Sequence, residues 1–202
     1  MADREGAALM SNGDRAGAHH TAIASSYTGR ASAGADCDID PRRFRDLLGR
    51  FATGVVAVTG YDPATGRPAG LAANSFTSVS LDPPLVGFCV AHTSSSWPLL
   101  RRSPGLAVSI LGADQEHVCR RLAAKGGDKF AGLETGWSPL GTPIVAGALA
   151  WLDCRVEAEH SAGDHAIVVA RVRRLTPGDA TGADPAPLVF YRGTYGGFLP
   201  PA

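Results

Sequence analysis

Residues 70–86 combine small side chains, the Asn74 amide and hydroxyl groups, and we call them the cradle segment. Small residues let a flat ligand lie close to the backbone, while amide, hydroxyl and free N–H groups can bond its polar edge. No catalytic acid, base or nucleophile stands out in the segment, so it predicts a binding site for a cofactor that supplies its own chemistry. An edge strand followed by a Ser/Thr-rich turn would have the same composition, and that alternative stays open.

Two other segments carry groups that could bind or orient a ligand. Three serines at 94–96 precede Trp97-Pro98, which predicts a short helix whose N-terminus suits a phosphate, although helix capping alone explains the serines equally well. His165 follows Gly163-Asp164 at the start of a predicted strand, where the turn can aim its imidazole off a barrel rim. A histidine at such a position is also commonly structural.

Other chemistries lack their sequence signals. Cys37, Cys89, Cys119 and Cys154 are widely spaced, and the two in apolar strand runs, Cys89 and Cys154, predict buried reduced thiols rather than metal ligands. The glycine-rich dinucleotide fingerprint, the phosphate-binding P-loop and the nucleophile elbow of serine hydrolases are all missing. We therefore expect no metal site.

The bulk properties favour an ordinary globular protein. Lys+Arg and Asp+Glu both number 19 among 202 residues and the pI is near 7.0, so no global field favours nucleic acid or an anionic membrane. No apolar run approaches the ~20 residues of a membrane span. The first residues lack the layout of a signal peptide, which predicts a cytoplasmic protein.

The order of predicted elements indicates a mainly β domain. Residues 1–36 are rich in Ala, Gly, Ser and Asp and predict a disordered tail, with one domain over 37–202. Asp40-Pro41 predicts a helix start, and this helix should end near Gly54. A further helix is predicted over 113–124. Strands are predicted over 55–59, the cradle segment, 85–90, 105–111, within 144–159, over 165–175 and over 188–191. Many strands with few short helices favour a closed antiparallel barrel.

Several motifs in order along the chain resemble those of the short-chain flavin reductases, a family with an FMN-binding split barrel. The resemblance covers residues 41–199. It is carried by Phe51-Ala52-Thr53-Gly54-Val55, the cradle segment, Asp114-Gln115, Asp128-Lys129-Phe130, Gly163-Asp164-His165 and Pro187-Leu188-Val189-Phe190-Tyr191-Arg192-Gly193-Thr194-Tyr195.

The resemblance implies a six-stranded Greek-key split barrel with flanking short helices that forms a homodimer. It also implies an NAD(P)H-dependent flavin reductase that supplies reduced FMN or FAD to a separate monooxygenase. The family does not decide between FMN and FAD or between NADH and NADPH. A flavin-holding sensor or storage protein without turnover, and an oxidase that retains its flavin, are the alternatives.

The resemblance also assigns binding residues. Positions matching the family's flavin contacts are Ala72, Ala73, Asn74, Ser75, Phe76, Ser78, Val79, Thr93, Ser94, Ser95, Leu99 and Leu100. Core packing is the alternative for Phe76 and for the two leucines. Family members often have Thr where this chain has Ala72, which removes one hydroxyl from the expected contacts.

A second set of positions matches the family's nicotinamide-nucleotide contacts. His165 is the candidate catalytic residue, expected to position NAD(P)H or to steady the reduced flavin's charge. The other matching positions are Ala166, Ile167, Val168, Arg192, Gly193, Thr194 and Tyr195. Tyr195 could stack on a ring and Arg192 could meet a phosphate, or both could simply close the last strand.

Overall fold

The computed structural model describes residues 39–178 and 185–198, and the predicted tail over 1–36 lies outside them. The described helices are α1 (Pro41–Leu48), α2 (Trp97–Leu100) and α3 (Glu116–Ala123), with a 3-10 turn at Ala113–Gln115 before α3. The strands are β1 (Thr53–Gly54), β2 (Val56–Tyr61), β3 (Pro68–Ala73), β4 (Thr77–Leu81), β5 (Pro84–Ala91), β6 (Leu106–Ile110), β7 (Thr135–Trp137), β8 (Pro143–Val145), β9 (Ala150–Ala162), β10 (His165–Pro177), β11 (Leu188–Tyr191) and β12 (Thr194–Gly197). The described part of the chain is thus mainly β, as predicted.

One sheet holds seven of these strands in the order β3-β2-β6-β9-β10-β5-β4. Every neighbouring pair in it is antiparallel. Two smaller sheets, β1-β11-β12 and β7-β8, and an isolated antiparallel bridge between Gly112 and Pro187 complete the described pairing. The β7-β8 hairpin and β12 were not predicted from the sequence.

The two edge strands of the large sheet, β3 and β4, are joined by only Asn74, Ser75 and Phe76. In a flat sheet the edges of seven strands would lie about 29 Å apart, because neighbouring strands are about 4.8 Å apart. The four peptide steps from Ala73 to Thr77 span at most about 14 Å. The sheet must therefore curl until its two edges meet.

The curled sheet encloses an apolar core. Alternate residues of the strands point inward, as the period of two in a strand requires. The fully buried members of this core include Val58, Phe88, Leu100, Leu106, Val108 and Val168. A second cluster, including Val55, Leu111, Leu122 and Leu188, lies where α3 and β11 cover the outer side of β2.

Two sequence predictions are wrong in detail. Cys89 is exposed rather than buried, because Phe88 and Val90 take the inward positions of β5 and Cys89 points the other way. The first helix ends at Leu48 rather than near Gly54, although Asp40 caps it as predicted by accepting a hydrogen bond from Arg42 N–H at 2.8 Å. Cys154 is buried as predicted.

Helix α1 buries none of its residues against the rest of the described chain. Its apolar side chains Phe44, Leu47 and Leu48 and the following Phe51 are 52–76% exposed. No helix among residues 39–178 and 185–198 has the length and apolar character needed to cross a membrane. The cytoplasmic location stays a prediction.

Candidate functional site

A gap opens in the large sheet between β3 and β5. Strand β3 pairs with β2 along one edge and with no described strand along the other. Strand β5 pairs with β4 only as far as Gly87, so its half from Phe88 to Ala91 has no strand partner on that side. The backbone groups along these two edges are therefore available to a ligand that lies between them.

Ser75 closes one end of this gap. Its Oγ accepts a hydrogen bond from Cys89 N–H at 2.8 Å and donates to the Cys89 carbonyl at 3.3 Å. The side chain thereby takes the place of a backbone partner at the point where β3 turns into β4. Ser75 and Cys89 thus lie at one end of the gap, and β3 and the unpaired half of β5 line the rest of it.

A cavity of about 420 Å³ fills the gap, and we call it the sheet-gap cavity. Its volume lies in the range of small-molecule sites. Eight of the predicted binding residues line it: Ala72, Ala73, Asn74, Ser75, Thr93, Ser94, Ser95 and His165. The cradle segment, the serines before α2 and the Gly-Asp-His turn, which are far apart in the sequence, thus meet at one site.

Strand register places His165 at the rim of the cavity. His165 is the first residue of β10 and pairs with Ala91, the last residue of β5. Its Nδ1 donates to the Asp164 carboxylate at 2.7 Å, and this bond with His165 lowers the pKa of Asp164. The carboxylate therefore stays ionised through the neutral range and fixes which ring nitrogen carries the hydrogen. Nε2 has no partner among the described residues.

Lys129 also lines the cavity. Its Nζ donates to Ser96 Oγ and to the Leu122 carbonyl, both at 2.9 Å. Burial lowers the pKa of this ammonium, and within the described ranges it forms no ion pair with a carboxylate. An ammonium has three hydrogens, so one remains for an anionic ligand.

Lys129 and its neighbour in the cavity, Lys125, were not assigned a role from the sequence. Lys129 belongs to the Asp128-Lys129-Phe130 motif, which contributes to the family resemblance but indicates no function by itself. Only the fold shows that this loop and Asn74 line the same cavity. The only local sequence signal for a role of Lys129 was its position two residues after the Gly126-Gly127 pair.

Tight packing holds α3 and its following loop against β3. A Cβ on Gly70 would lie 2.9 Å from Leu122 and 3.1 Å from Phe130, so a side chain at this position would displace one of them. Leu122 and Lys129 both line the sheet-gap cavity. Glycine at position 70 therefore lets this wall approach the strand.

The remaining predicted flavin contacts lie outside the sheet-gap cavity. Phe76 is partly buried and packs on the core, while Ser78 and Val79 are exposed on β4. Leu99 lines a neighbouring cavity, and Leu100 is completely buried, so its side chain cannot touch a ligand. A contact at Leu100 would have to come from the backbone.

The predicted nicotinamide contacts beyond His165 are spread over two places. Ala166 lines a cavity of about 340 Å³ beside Trp97, Ile167 is 41% exposed, and Val168 is completely buried in the core. Arg192, Gly193, Thr194 and Tyr195 form the β11-β12 turn and the start of β12, and none of them lines the sheet-gap cavity.

Tyr195 is engaged with α3. Its hydroxyl lies 3.0 Å from Cys119 Sγ, its ring packs on Phe190 with centroids 5.0 Å apart, and the Arg120 guanidinium lies 5.7 Å from the ring centre. Burial, together with the Cys119 hydrogen bond, raises the pKa of Tyr195 to about 12. Burial also raises the pKa of the Cys119 thiol. This contact attaches the β11-β12 hairpin to α3.

The residues of the sheet-gap cavity fit a flavin mononucleotide. Small side chains at Ala72, Ala73 and Ala91 leave room for a flat ring beside the two open strand edges. Asn74 and the strand edges offer donors and acceptors for the polar edge of that ring. Hydroxyls at 93–95 and the Lys129 ammonium suit a phosphate at the far end.

Comparison with known proteins agrees with this chemistry. Residues 48–198 match the family described as flavin reductase like domain. The chain is 47% identical over 160 residues to a flavin reductase from Pseudomonas putida, covering 79% of this chain and 91% of that protein. It is 44% identical over 176 residues to the reductase subunit of a flavin-dependent monooxygenase from Rhodococcus jostii, covering 87% of each.

Among solved structures, the fold is similar to that of an NADH:FAD oxidoreductase from Streptomyces globisporus in complex with NAD and FAD fragments. The TM-score is 0.72 at 36% sequence identity, covering 81% of this chain and 98% of that one.

Proposed function

The chain belongs to the flavin reductase like family, and we propose that its sheet-gap cavity binds the flavin that it reduces. The protein is an NAD(P)H:flavin oxidoreductase that supplies reduced flavin to a partner monooxygenase. The observation that carries the proposed site is the meeting of Asn74, Ser95, Lys129 and His165 around one cavity.

Bound flavin supplies a ring that takes up a hydride from reduced nicotinamide. The residues of the chain bind and orient. Asn74 and the open edges of β3 and β5 hold the polar side of the ring, and Ser94, Ser95 and Lys129 hold the phosphate. Because hydride transfer needs its donor and acceptor atoms about 3–3.5 Å apart, most of the protein's contribution is positional.

His165 holds the nicotinamide side of the site. Its Nδ1 is fixed by Asp164, so Nε2 is the ring nitrogen that can meet the nucleotide or the negative charge of the reduced ring. The cavity of about 340 Å³ beside Trp97 is lined by Ala166, which follows His165 on β10. This cavity can take another part of the coenzyme. The proposed contacts at Ile167 and residues 192–195 belong to the nicotinamide coenzyme. Val168 has a completely buried side chain, so a contact there would have to come from the backbone.

We also infer that the curled sheet is the six-stranded Greek-key split barrel of the family, with β3 and β4 as one bent strand. Counting these two as one leaves six strands around the core. The one domain then spans 37–202. The split is the gap between β3 and β5, where we place the flavin.

We further propose that the protein forms a homodimer. The exposed apolar side chains of α1 and Phe51 are a surface that a second copy could cover. Sedimentation velocity should give twice the mass of one chain, and Phe44→Glu should yield folded monomers. A wild-type monomer at micromolar concentration that still binds flavin tightly would contradict the dimer.

The decisive assay follows absorbance at 340 nm with NADH or NADPH and excess free FMN or FAD. Turnover well above the protein-free rate in at least one combination is expected, together with oxygen consumption as reduced flavin leaves. Tight flavin binding without turnover in all four combinations would instead favour a storage or sensor protein. Turnover limited to an added organic substrate would favour an oxidase.

A further inference from the structure

A cavity of about 520 Å³ lies beside the sheet-gap cavity, and we call it the Arg67 cavity. Arg67, Leu99, Phe130 and the loop over 126–131 line it. Ser95 and Lys129 line both cavities. A ligand that reaches Lys129 from the sheet-gap cavity can therefore continue into the Arg67 cavity.

The two cavities meet at the phosphate end of the proposed flavin site. Lys129 uses two of its ammonium hydrogens within the protein and has the third available at this boundary. A mononucleotide flavin would end here with its single phosphate. A dinucleotide would continue here with a second phosphate and an adenosine.

The Arg67 cavity has the groups that such an extension needs. The Arg67 guanidinium and the N–H groups of Gly126 and Gly127 have no partners within the described residues. Both glycines have positive φ, 73° and 69°, with open space where a side chain would stand, so a ligand can approach their backbone. Phe130 offers an aromatic surface to a base.

Each of the two carboxylates that line this cavity has a partner, which is a cation for Asp62 and a backbone N–H for Asp128. Asp62 pairs with Arg102 at 3.5 Å, and its Oδ1 also accepts from Ala64 N–H. Asp128 Oδ1 accepts from Phe130 N–H at 2.9 Å. Arg67 and Lys129 thus remain as the cations that an anionic ligand can pair with.

We propose that the Arg67 cavity is an adenylate subsite that holds the AMP half of FAD while the flavin half occupies the sheet-gap cavity. The inference rests on the proposed flavin site and makes FAD the preferred flavin. Arg67 binds the second phosphate and Phe130 packs on the adenine. FMN lacks both groups and gains nothing from this subsite.

The test is equilibrium binding of FAD and FMN to the full chain, followed by flavin fluorescence without NADH. FAD should bind at least about tenfold more tightly than FMN, since one charge-assisted hydrogen bond can supply that ratio. Arg67→Ala should weaken FAD about tenfold and leave FMN unchanged. Arg174→Ala, which removes an exposed arginine on β10, is the matched control and should change neither.

Phe130→Leu tests the adenine contact while keeping an apolar side chain beside Gly70. It should weaken FAD and spare FMN, with unfolding by urea showing that the variant remains folded. Equal affinities of the wild type for FAD and FMN would overturn the proposal. An Arg67→Ala variant with unchanged flavin affinities and a raised KM for NADH would also overturn it, because the adenylate of the coenzyme would then be the occupant.

These outcomes differ from a failure of the proposed function. If the sheet-gap cavity is not a flavin site, neither FMN nor FAD binds at micromolar concentration. If only the subsite is misplaced, FMN still binds and the difference between FAD and FMN does not depend on Arg67.

Discussion

The Ser75 hydroxyl bonds both backbone groups of Cys89, accepting from the N–H at 2.8 Å and donating to the carbonyl at 3.3 Å. One side chain therefore ties β5 to the segment that follows β3, at a point where no backbone pairing joins them. The same two residues line the cavity that lies beyond the tie.

Ser75→Ala should lower the free energy of unfolding by about 1 kcal/mol, because the N–H and the carbonyl of Cys89 lose their hydrogen bonds to the Ser75 hydroxyl. Flavin affinity should fall with it as β3 and β5 separate. Urea unfolding and flavin titration measure the two effects. Ser75→Thr keeps the hydroxyl and is the control; if it loses as much stability as the alanine variant, the hydrogen bonds are not the cause.

Cys89 provides a test of the site that does not depend on turnover. It is exposed and lines the cavity, whereas Cys119 and Cys154 are buried. Burial raises the pKa of Cys154 to about 12 and raises that of Cys119, so both are poor nucleophiles near neutral pH.

N-ethylmaleimide at pH 7.5 should therefore modify Cys89 quickly and the two buried thiols slowly. Flavin at about 100 times its Kd should slow the Cys89 reaction about 100-fold by mass action. Peptide mass spectrometry separates the cysteines. An unchanged rate of Cys89 modification in saturating flavin would place the flavin elsewhere.

His165→Ala should raise the KM for NAD(P)H, or lower kcat, by up to about tenfold while leaving flavin affinity nearly unchanged. A contact made in both the ground and transition states affects KM, and one made only in the transition state affects kcat. His117→Ala, which removes an exposed histidine on α3, is the matched control. Loss of flavin binding with unaltered nucleotide kinetics would make His165 a flavin-side or structural residue.

As pH rises, the affinity for FMN should begin to fall at a lower pH than it would if an ordinary lysine bound the phosphate. Burial lowers the pKa of Lys129, so its ammonium loses its charge as pH rises through a value below that of a free lysine. An anion that prefers charged Lys129 is then bound more weakly above that pKa.

The measurement is the ratio of FMN to riboflavin affinity between pH 7 and 10, because riboflavin lacks the phosphate but titrates in the same ring. The ratio should decline for the wild type and stay flat for Lys129→Met. The same linkage acts on folding. Native Lys129 binds its proton less tightly than the unfolded chain does, so its contribution to the free energy of unfolding becomes more favourable as pH rises through the lowered pKa.

Local patterns predicted those features of the fold and of the candidate site that lie on continuous segments. Asp40-Pro41 predicted the start of α1, and the small and hydroxyl residues of the cradle segment predicted a ligand wall. Lys129 could not be found this way, because its importance depends on where α3 and its loop pack, which Gly70 and Phe130 decide through a long-range contact.

Local patterns also could not predict the face of the sheet to which a single strand residue points. An apolar run such as residues 85–90 has inward and outward positions, and only pairing with β10 and β4 shows that Phe88 points into the core and Cys89 away from it. The β7-β8 hairpin was missed for a related reason. It is fixed by Asp153, a buried carboxylate of β9 that accepts hydrogen bonds from Ser138 and Thr142.

The open edges of β3 and β5 give the ligand a mechanical part in the fold. A flavin between them would make hydrogen bonds where a strand would otherwise make them, so binding would complete the sheet rather than merely fill a pocket. Amide hydrogens at the ends of these two strands should then exchange with solvent slowly when flavin is bound and quickly once it leaves. An enzyme built in this way loosens each time it releases its product, and rebinding restores its rigidity.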